Sequence, residues 1–450
     1  MTGVGDPGRA GPEPGAPGEP RALRPARVVG PALLALVLYS GVFLVEYRIL
    51  ISPQFAYAGL LWLPLPLSTW VALTAFTFLP LLFLPLRVAR PSDFLVQTLF
   101  VLLYLPSVWI PPLVLVGYPV WIFDPFLLVS LFVLSQGRSW WHFRIPACHG
   151  SGRGLELALW LFLAGTVAAT VVLLKSHLRL FSPEEVYAIR SDYKDALRDA
   201  PFFMPYLIGW SGNVVVPFLS LTYVRQRRWL KLAAVLGCLF LLFLRTSYKS
   251  MFFGAFLVFI LFHAFRRLRP SLVLMLTGMA GVLVAGWLVD TRLPLPLVST
   301  LVHRRLLAVP GQLAGTYFTF FAHHPFAMLA HSFFRFFLHY PYAAPPANLM
   351  GYLLYDRPDA SANTGIWGDA YANFGLPGML GFSLAASFVF RLYDEVWKPH
   401  GLALGTALLG VILIALANSP LFTVLLTHGL LFALLLGLYV PVGKGGAVAV

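Results

Sequence analysis

The chain has 450 residues, of which 59% are hydrophobic and 11% charged, with a mean hydropathy of +0.79 and a formal charge of +14. A soluble domain carries about 25% charged residues, so this chain has too few to coat a water-facing surface, and a string of soluble domains is excluded. The positive charge sits in short clusters between apolar blocks, which points to membrane orientation rather than to nucleic acid.

Residues 1–28 are rich in Gly, Pro and Ala, with Arg9, Arg21, Arg24 and Arg27. Such a segment buries too little apolar surface to offset its ordering entropy and is expected to be a disordered cytoplasmic tail. It does not read as a cleavable signal peptide, because the apolar block after it is of full span length and more spans follow. From residue 29 to 450 the pattern predicts one all-α polytopic bundle of about twelve transmembrane helices, each long enough for a hydrocarbon core of about 30 Å. The spans fall near 29–49, 62–86, 94–115, 118–136, 154–174, 204–223, 229–245, 248–265, 270–289, 367–390, 401–418 and 420–440. Every second connection holds a basic cluster: Arg87 and Arg90; Arg138, Arg144 and Arg153; Arg225 to Lys231; Arg266, Arg267 and Arg269; Arg391 and Lys398. The positive-inside rule then puts both termini in the cytoplasm of a multi-pass inner-membrane protein. Cys148 lies in a basic loop and Cys238 inside a span, so no disulfide between them is expected.

Two connections, 175–203 and 290–366, are long and fall on the outer side, as functional connections in compact proteins often are. In the first, Ser182-Pro183-Glu184-Glu185 has the form of a helix cap. Val186, Ile189, Tyr193 and Leu197 then make an apolar stripe, giving an amphipathic helix at the membrane surface or over a cavity. Its Arg190 suits a phosphate ligand or an interfacial anchor equally.

The second loop carries His303-Arg304-Arg305, then Tyr317 and the pair His323-His324, then His331, Arg335, His339 and Tyr342. Positions 326–340 are apolar enough to predict a half-buried or re-entrant helix. Asn363 opens a run that enters the tenth span, where Asp369 and Asn373, four apart, share a helix face. An acid at membrane depth costs about 2.5–3.5 kcal/mol on insertion scales and normally faces a bundle interior or wet cavity. Asp369 is therefore a functional candidate, the alternative being a helix-start carboxylate favoured by the dipole. Arg245 and Lys249 flank a short outer turn, where they could hold a phosphorylated ligand or snorkel to anionic headgroups. Asp124, before Pro125, reads as an ordinary helix start.

The run NTGIWGDAYANFG at 363–375, with RRLLAVPGQLAGTYFTFFAHHP at 304–325, YPY at 340–342, VYAIR at 186–190 and YKS at 248–250, resembles the bacterial oligosaccharide repeat-unit polymerases, the O-antigen polymerase or Wzy-type group. The resemblance covers roughly 175–395 and implies a GT-C-like membrane glycosyltransferase. Such an enzyme joins undecaprenyl-pyrophosphate-linked oligosaccharides at the periplasmic face, among membrane lipids and beside a flippase and a chain-length regulator. Breaking a glycosyl-pyrophosphate bond develops negative charge that held cations stabilise. Arg190, Arg245, Lys249, Arg304, Arg305 and Arg335 are the cations available for it, and Tyr317, Tyr342, Asn363 and Asn373 complete the expected substrate contacts. Asp369, His323 or His324 would serve as base. No acidic cluster suited to Mg2+ or Mn2+ stands out, so a metal-independent reaction without cofactor is expected. An O-antigen ligase shares these features and differs in its acceptor. A transporter or flippase would show internal repeats and midplane charges, whereas the two halves here show no evident repeat.

Overall fold

The computed structural model describes residues 26–146, 151–173, 196–197, 200–268, 270–293, 296–332, 334–357 and 360–442. Among them the regular structure is helical, and an isolated β-bridge joins Arg87 to Ser271. Nine helices among the described residues are long and apolar enough to cross a membrane: Val29–Ala58, Pro91–Val114, Val120–Ser139, Gly152–Leu173, Met204–Gln226, Trp229–Thr246, Leu272–Asp290, Ile366–His400 and Leu421–Tyr439. The chain is an all-α, multi-pass membrane protein. Three expected spans are not among the nine. The segment 62–86 is a 12-residue helix, Leu67–Phe78, with a short tight turn Leu79–Leu82 after it. Pro64, Pro66, Pro80 and Pro85 bracket it, and each lacks the N–H that would extend it. The segment 248–265 is the 19-residue helix Lys249–Arg267. The segment 401–418 is two pieces, Leu402–Leu408 and Gly410–Asn418, that meet at Leu409.

Prolines also shape the long helices from within. Four π-helical segments occur among the described residues, Tyr47–Ile51, Phe100–Tyr104, Ser211–Val215 and Thr300–Ala308. Each ends two residues before a proline: Pro53, Pro106, Pro217 and Pro310. Proline offers no N–H to the carbonyl four residues back and its ring clashes with that carbonyl. Here those carbonyls belong to Ile49, Leu102, Asn213 and Leu306, each inside a widened turn, so the extra residue absorbs the clash and the helix continues.

The basic connections gather at one end of the bundle. Arg138 Nη1 lies 2.8 Å from Asp93 Oδ1, and Ser92 donates to both carboxylate oxygens of Asp394, its amide at 2.9 Å. Arg391 pairs with Glu395 at 2.6 Å, and Lys231 with Glu156 at 2.6 Å. The 87–88 strand-like segment meets 270–271, and the charge of Arg266 acts on Arg225. These contacts between basic connections place them at a shared end, where hydrogen bonds and ion pairs join three of the helices and, separately, two others.

The opposite end differs from expectation in two ways. The first part of the expected 290–366 loop is a helix inside the bundle, with Thr300–Ala308 and Val309–Phe321 continuous and His303, Leu307, Gln312 and Phe318 buried. Glycine makes this possible: a Cβ at Gly311 would stand 2.3 Å from Pro106 O. The second difference is that 326–340 forms turns rather than a helix through its described residues. Met328 and Leu329 are both left-handed (φ 50° and 54°), which a right-handed helix cannot contain.

Candidate functional site

The site grows from a break in the helix Ile366–Trp397. Phe374 (φ −142°, ψ 16°) and Gly375 (φ 64°, ψ −153°) leave helical geometry, and Pro377 follows. Pro377 has no N–H for Asn373 O, and the turn at Gly375 withdraws the donor for Ala372 O. Both freed carbonyls accept from the neighbouring segment, Ala372 O from Ala327 N at 2.8 Å and Asn373 O from Met328 N at 3.2 Å. Asn373 Oδ1 adds a third bond, from Leu329 N at 2.8 Å. These three bonds hold the left-handed pair Met328-Leu329 in a conformation that costs non-glycine residues of order 1–3 kcal/mol each. Gly375 is required twice over, by its positive φ and because a Cβ there would meet the Phe326 ring at 2.8 Å.

Beneath this cover lies Asp369, one turn before Asn373 and 6% exposed. Asn373 Nδ2 donates to Asp369 O at 2.9 Å and to Asp369 Oδ1 at 3.2 Å. Asp369 Oδ2 is buried and has no hydrogen-bond partner among the described residues. Tyr317 stands close enough to feel the Asp369 charge and donates its hydroxyl to Ala362 O at 3.0 Å. Tyr342 donates to Pro325 O, at the start of the cover. Asp369, Asn373, Tyr317 and Tyr342 are therefore brought to one place. Asn373 spends its side chain on holding Asp369 and the cover.

The remaining expected residues lie around that place or apart from it. His323 and His324 are exposed at the end of Val309–Phe321, and His324 stacks on Phe320 with ring centroids 4.0 Å apart. Arg335 is exposed over the Phe336 ring, and Asn363 is exposed. Arg304 is half-buried with its guanidinium 4.3 Å from the Phe55 ring centre and its Nε without a hydrogen-bond partner. Arg305 is exposed beside it. Burial raises the Tyr355 phenol, and the charges of Arg305 and Arg304 act against that rise, so the three share one neighbourhood. Arg245 is half-buried and Lys249 exposed at the turn between their helices, with Ser247 left-handed between them. Arg190, with most of the amphipathic helix expected around it, lies outside the described residues.

Two carboxylates were missed. Asp124, read as a helix start, is fully buried five residues into its helix; Tyr118 donates to its Oδ1 at 3.4 Å and its Oδ2 has no partner. The helices of Asp124 and Asp369 pack together, with Phe123, Phe318 and Phe326 closing on Tyr371 between them. Glu46, inside the first span, lies 3.3 Å from the fully buried His303. The signal for both was the one that singled out Asp369, an acid within an apolar stretch. Among the described residues no three His, Cys, Asp or Glu side chains converge to hold a metal ion. Compared with protein-family models, curated proteins and solved structures, the chain finds no match.

Proposed function

We propose that the chain is a GT-C-like membrane glycosyltransferase, which polymerises polyprenyl-pyrophosphate-linked oligosaccharide repeat units at the end of the bundle opposite the basic connections. With the basic end in the cytoplasm, both termini lie there too and the reaction faces the periplasm. The observation that carries the reading is Asp369 Oδ2, a buried carboxylate oxygen with no partner, under a cover held by three backbone contacts. A carboxylate desolvated without a cation is costly to keep, and a general base for an acceptor hydroxyl is a use that repays keeping it.

In this mechanism the 325–329 segment swings away and the acceptor hydroxyl enters against Asp369. The hydroxyl oxygen attacks the anomeric carbon of the donor, and the bond from that carbon to the pyrophosphate oxygen breaks. The lipid pyrophosphate leaves with the electron pair, and the hydroxyl proton passes to the Asp369 carboxylate. Arg304 and Arg305, on the same helix as Tyr317, supply cations for the leaving group, with Arg304 partly desolvated against Phe55. The exposed pair His323-His324 at the rim suits sugar contact, since imidazole both stacks and hydrogen-bonds.

The test is elongation in lipid vesicles by the purified full chain, given undecaprenyl-pyrophosphate-linked repeat units. A ladder of lengthened lipid-linked glycan that disappears with Asp369→Asn supports the proposal. Glycan moved only onto a different acceptor would make the chain a ligase, and net movement of unreacted lipid between leaflets would make it a transporter.

A further inference from the structure

At the basic end, apart from the site above, the helices Pro91–Val114, Lys249–Arg267, Leu272–Asp290 and Gly410–Asn418 enclose a cavity of about 340 Å³. Its walls are apolar, among them Phe94, Leu257, Leu261, Phe265, Met275 and Met279. Leu268, Leu274 and Ile414 on its lining are 52%, 43% and 37% exposed, so the cavity opens sideways to where hydrocarbon surrounds the protein. Ser271 sits on the lining, and its pairing with Arg87 places that basic connection at the mouth.

The mouth is charged. Arg266 and Arg267 end the helix whose other residues line the cavity, and both are exposed. Among the described residues neither has a carboxylate partner, and Arg266 stands near a second guanidinium, that of Arg225. Elsewhere at this end the acids Asp93, Glu156 and Glu395 each have a cation. Consecutive exposed guanidiniums at the end of this helix, Arg266 and Arg267, with Arg225 near the first and no acid between them among the described residues, leave a place for an anion. On the cavity wall Gln97 donates to Pro85 O at 2.6 Å, two residues from Arg87, while its Oε1 is buried with no hydrogen-bond partner. That acceptor, nearly two turns into the helix from its basic end, suits a hydroxyl.

We propose that this cavity is a binding site for an anionic membrane phospholipid with a hydroxyl-bearing headgroup, one acyl chain in the apolar cavity and the phosphate on Arg266 and Arg267. The site uses none of the residues assigned to glycosyl transfer: its mouth is at the basic end, and its inner wall reaches Leu306 on the helix Thr300–Ala308. Its occupant would pack the space between four helices that otherwise meet around a void.

The experiment is native mass spectrometry of the full chain from mixed micelles holding equal phosphatidylglycerol and phosphatidylcholine of the same chains. One phosphatidylglycerol retained in preference to phosphatidylcholine is expected. At about fivefold per basic residue near a charged surface, Arg266→Gln with Arg267→Gln should weaken that retention roughly twenty-five-fold. Met275→Trp, which fills the cavity and leaves the charges alone, should abolish it. Equal retention of the two lipids overturns the proposal, and so does full retention in the Met275→Trp protein, which would place the lipid on the charged rim without the cavity. Folding of each variant is read separately from its thermal transition in lipid-free detergent.

Discussion

The two ends of the bundle treat buried acids differently, although the end opposite the basic connections also holds Asp290, which accepts from the Val298 and Ser299 amides, and Glu46, which stands beside His303. At the basic end Asp93 meets Arg138, Glu395 meets Arg391, Glu156 meets Lys231, and Asp394 accepts two hydrogen bonds from Ser92. At the other end Asp124 and Asp369 are also buried, yet each leaves one oxygen with no partner among the described residues. Taking a carboxylate out of water costs several kcal/mol unless paired and hydrogen-bonded. Apart from Glu395, whose cation stands one turn away on its own helix, the paired acids act as staples between helices. The unpaired ones lower stability, and a cost of that kind at one end only marks where a carboxylate is needed for something other than folding.

The comparison is broken most severely by exchanging charge for amide at Asp369. Asp369→Asn keeps the shape and the contact with Asn373 but removes the base, so elongation should fall about 10²–10⁴-fold. The thermal transition should hold or rise, because an uncompensated charge has gone. Asp124→Asn is the matching control and should leave elongation within a few-fold of the parent. If the two substitutions trade places, the base is Asp124 and the assignment above is wrong.

At the basic end the same logic runs the other way. Arg138→Met strands Asp93 without its cation and should cost about 3–5 kcal/mol, read as a lowered thermal transition in detergent. Pairing it with Asp93→Leu should recover most of that loss, since a buried ion pair replaced by apolar side chains is often close to neutral. A double variant as unstable as the single one would mean that Arg138 acts through Ser92 and Asp394 rather than Asp93.

How far the sequence exposes this contrast depends on whether a signal is local. The basic clusters are local in sequence and recur with the spans, so their common end is legible. Asp369 is legible because an acid in a Gly- and Asn-rich entry to a span stands out. Asp124 is not, because Pro125 after it imitates a helix start and nothing nearby shows that the helix begins four residues earlier. The Glu46–His303 contact joins residues 257 positions apart in the chain and has no local trace. The turns at 326–340 fail for a related reason. Gly375 and Pro377 announce a break, but the identity of the amides that occupy the freed carbonyls depends on a second segment more than forty residues away. The π-helical turns are a case in which the prolines are visible and the physics is general, so their placement is legible two residues before each proline.

A smaller effect sharpens the contrast from the side of the cover. Asn373→Ala removes the bond to Leu329 N and the two to Asp369, so the cover should loosen by about 1–3 kcal/mol. Faster hydrogen exchange at the 327–329 amides, with the basic end unchanged, is the expected result. Unchanged exchange would show that the two backbone bonds from Ala327 and Met328 suffice.

The smallest effect concerns His331, which lies half-buried against Tyr340 with ring centroids 5.5 Å apart. Burial holds its imidazole below the usual value of 6.5. A histidine whose folded value is depressed binds fewer protons closed than open, so the closed form is favoured above about pH 6.5 and loses that advantage as the pH falls. Acidification from 7.5 to 5.5 should therefore speed exchange in the cover slightly, the size limited by the water that still reaches the ring. His331→Gln should flatten that dependence while leaving exchange at pH 7.5 near the parent value. A pH dependence that survives the substitution would have to come from Asp369 itself, whose protonation removes the charge that Asn373 holds, and one carboxylate would then control the cover as well as the chemistry beneath it.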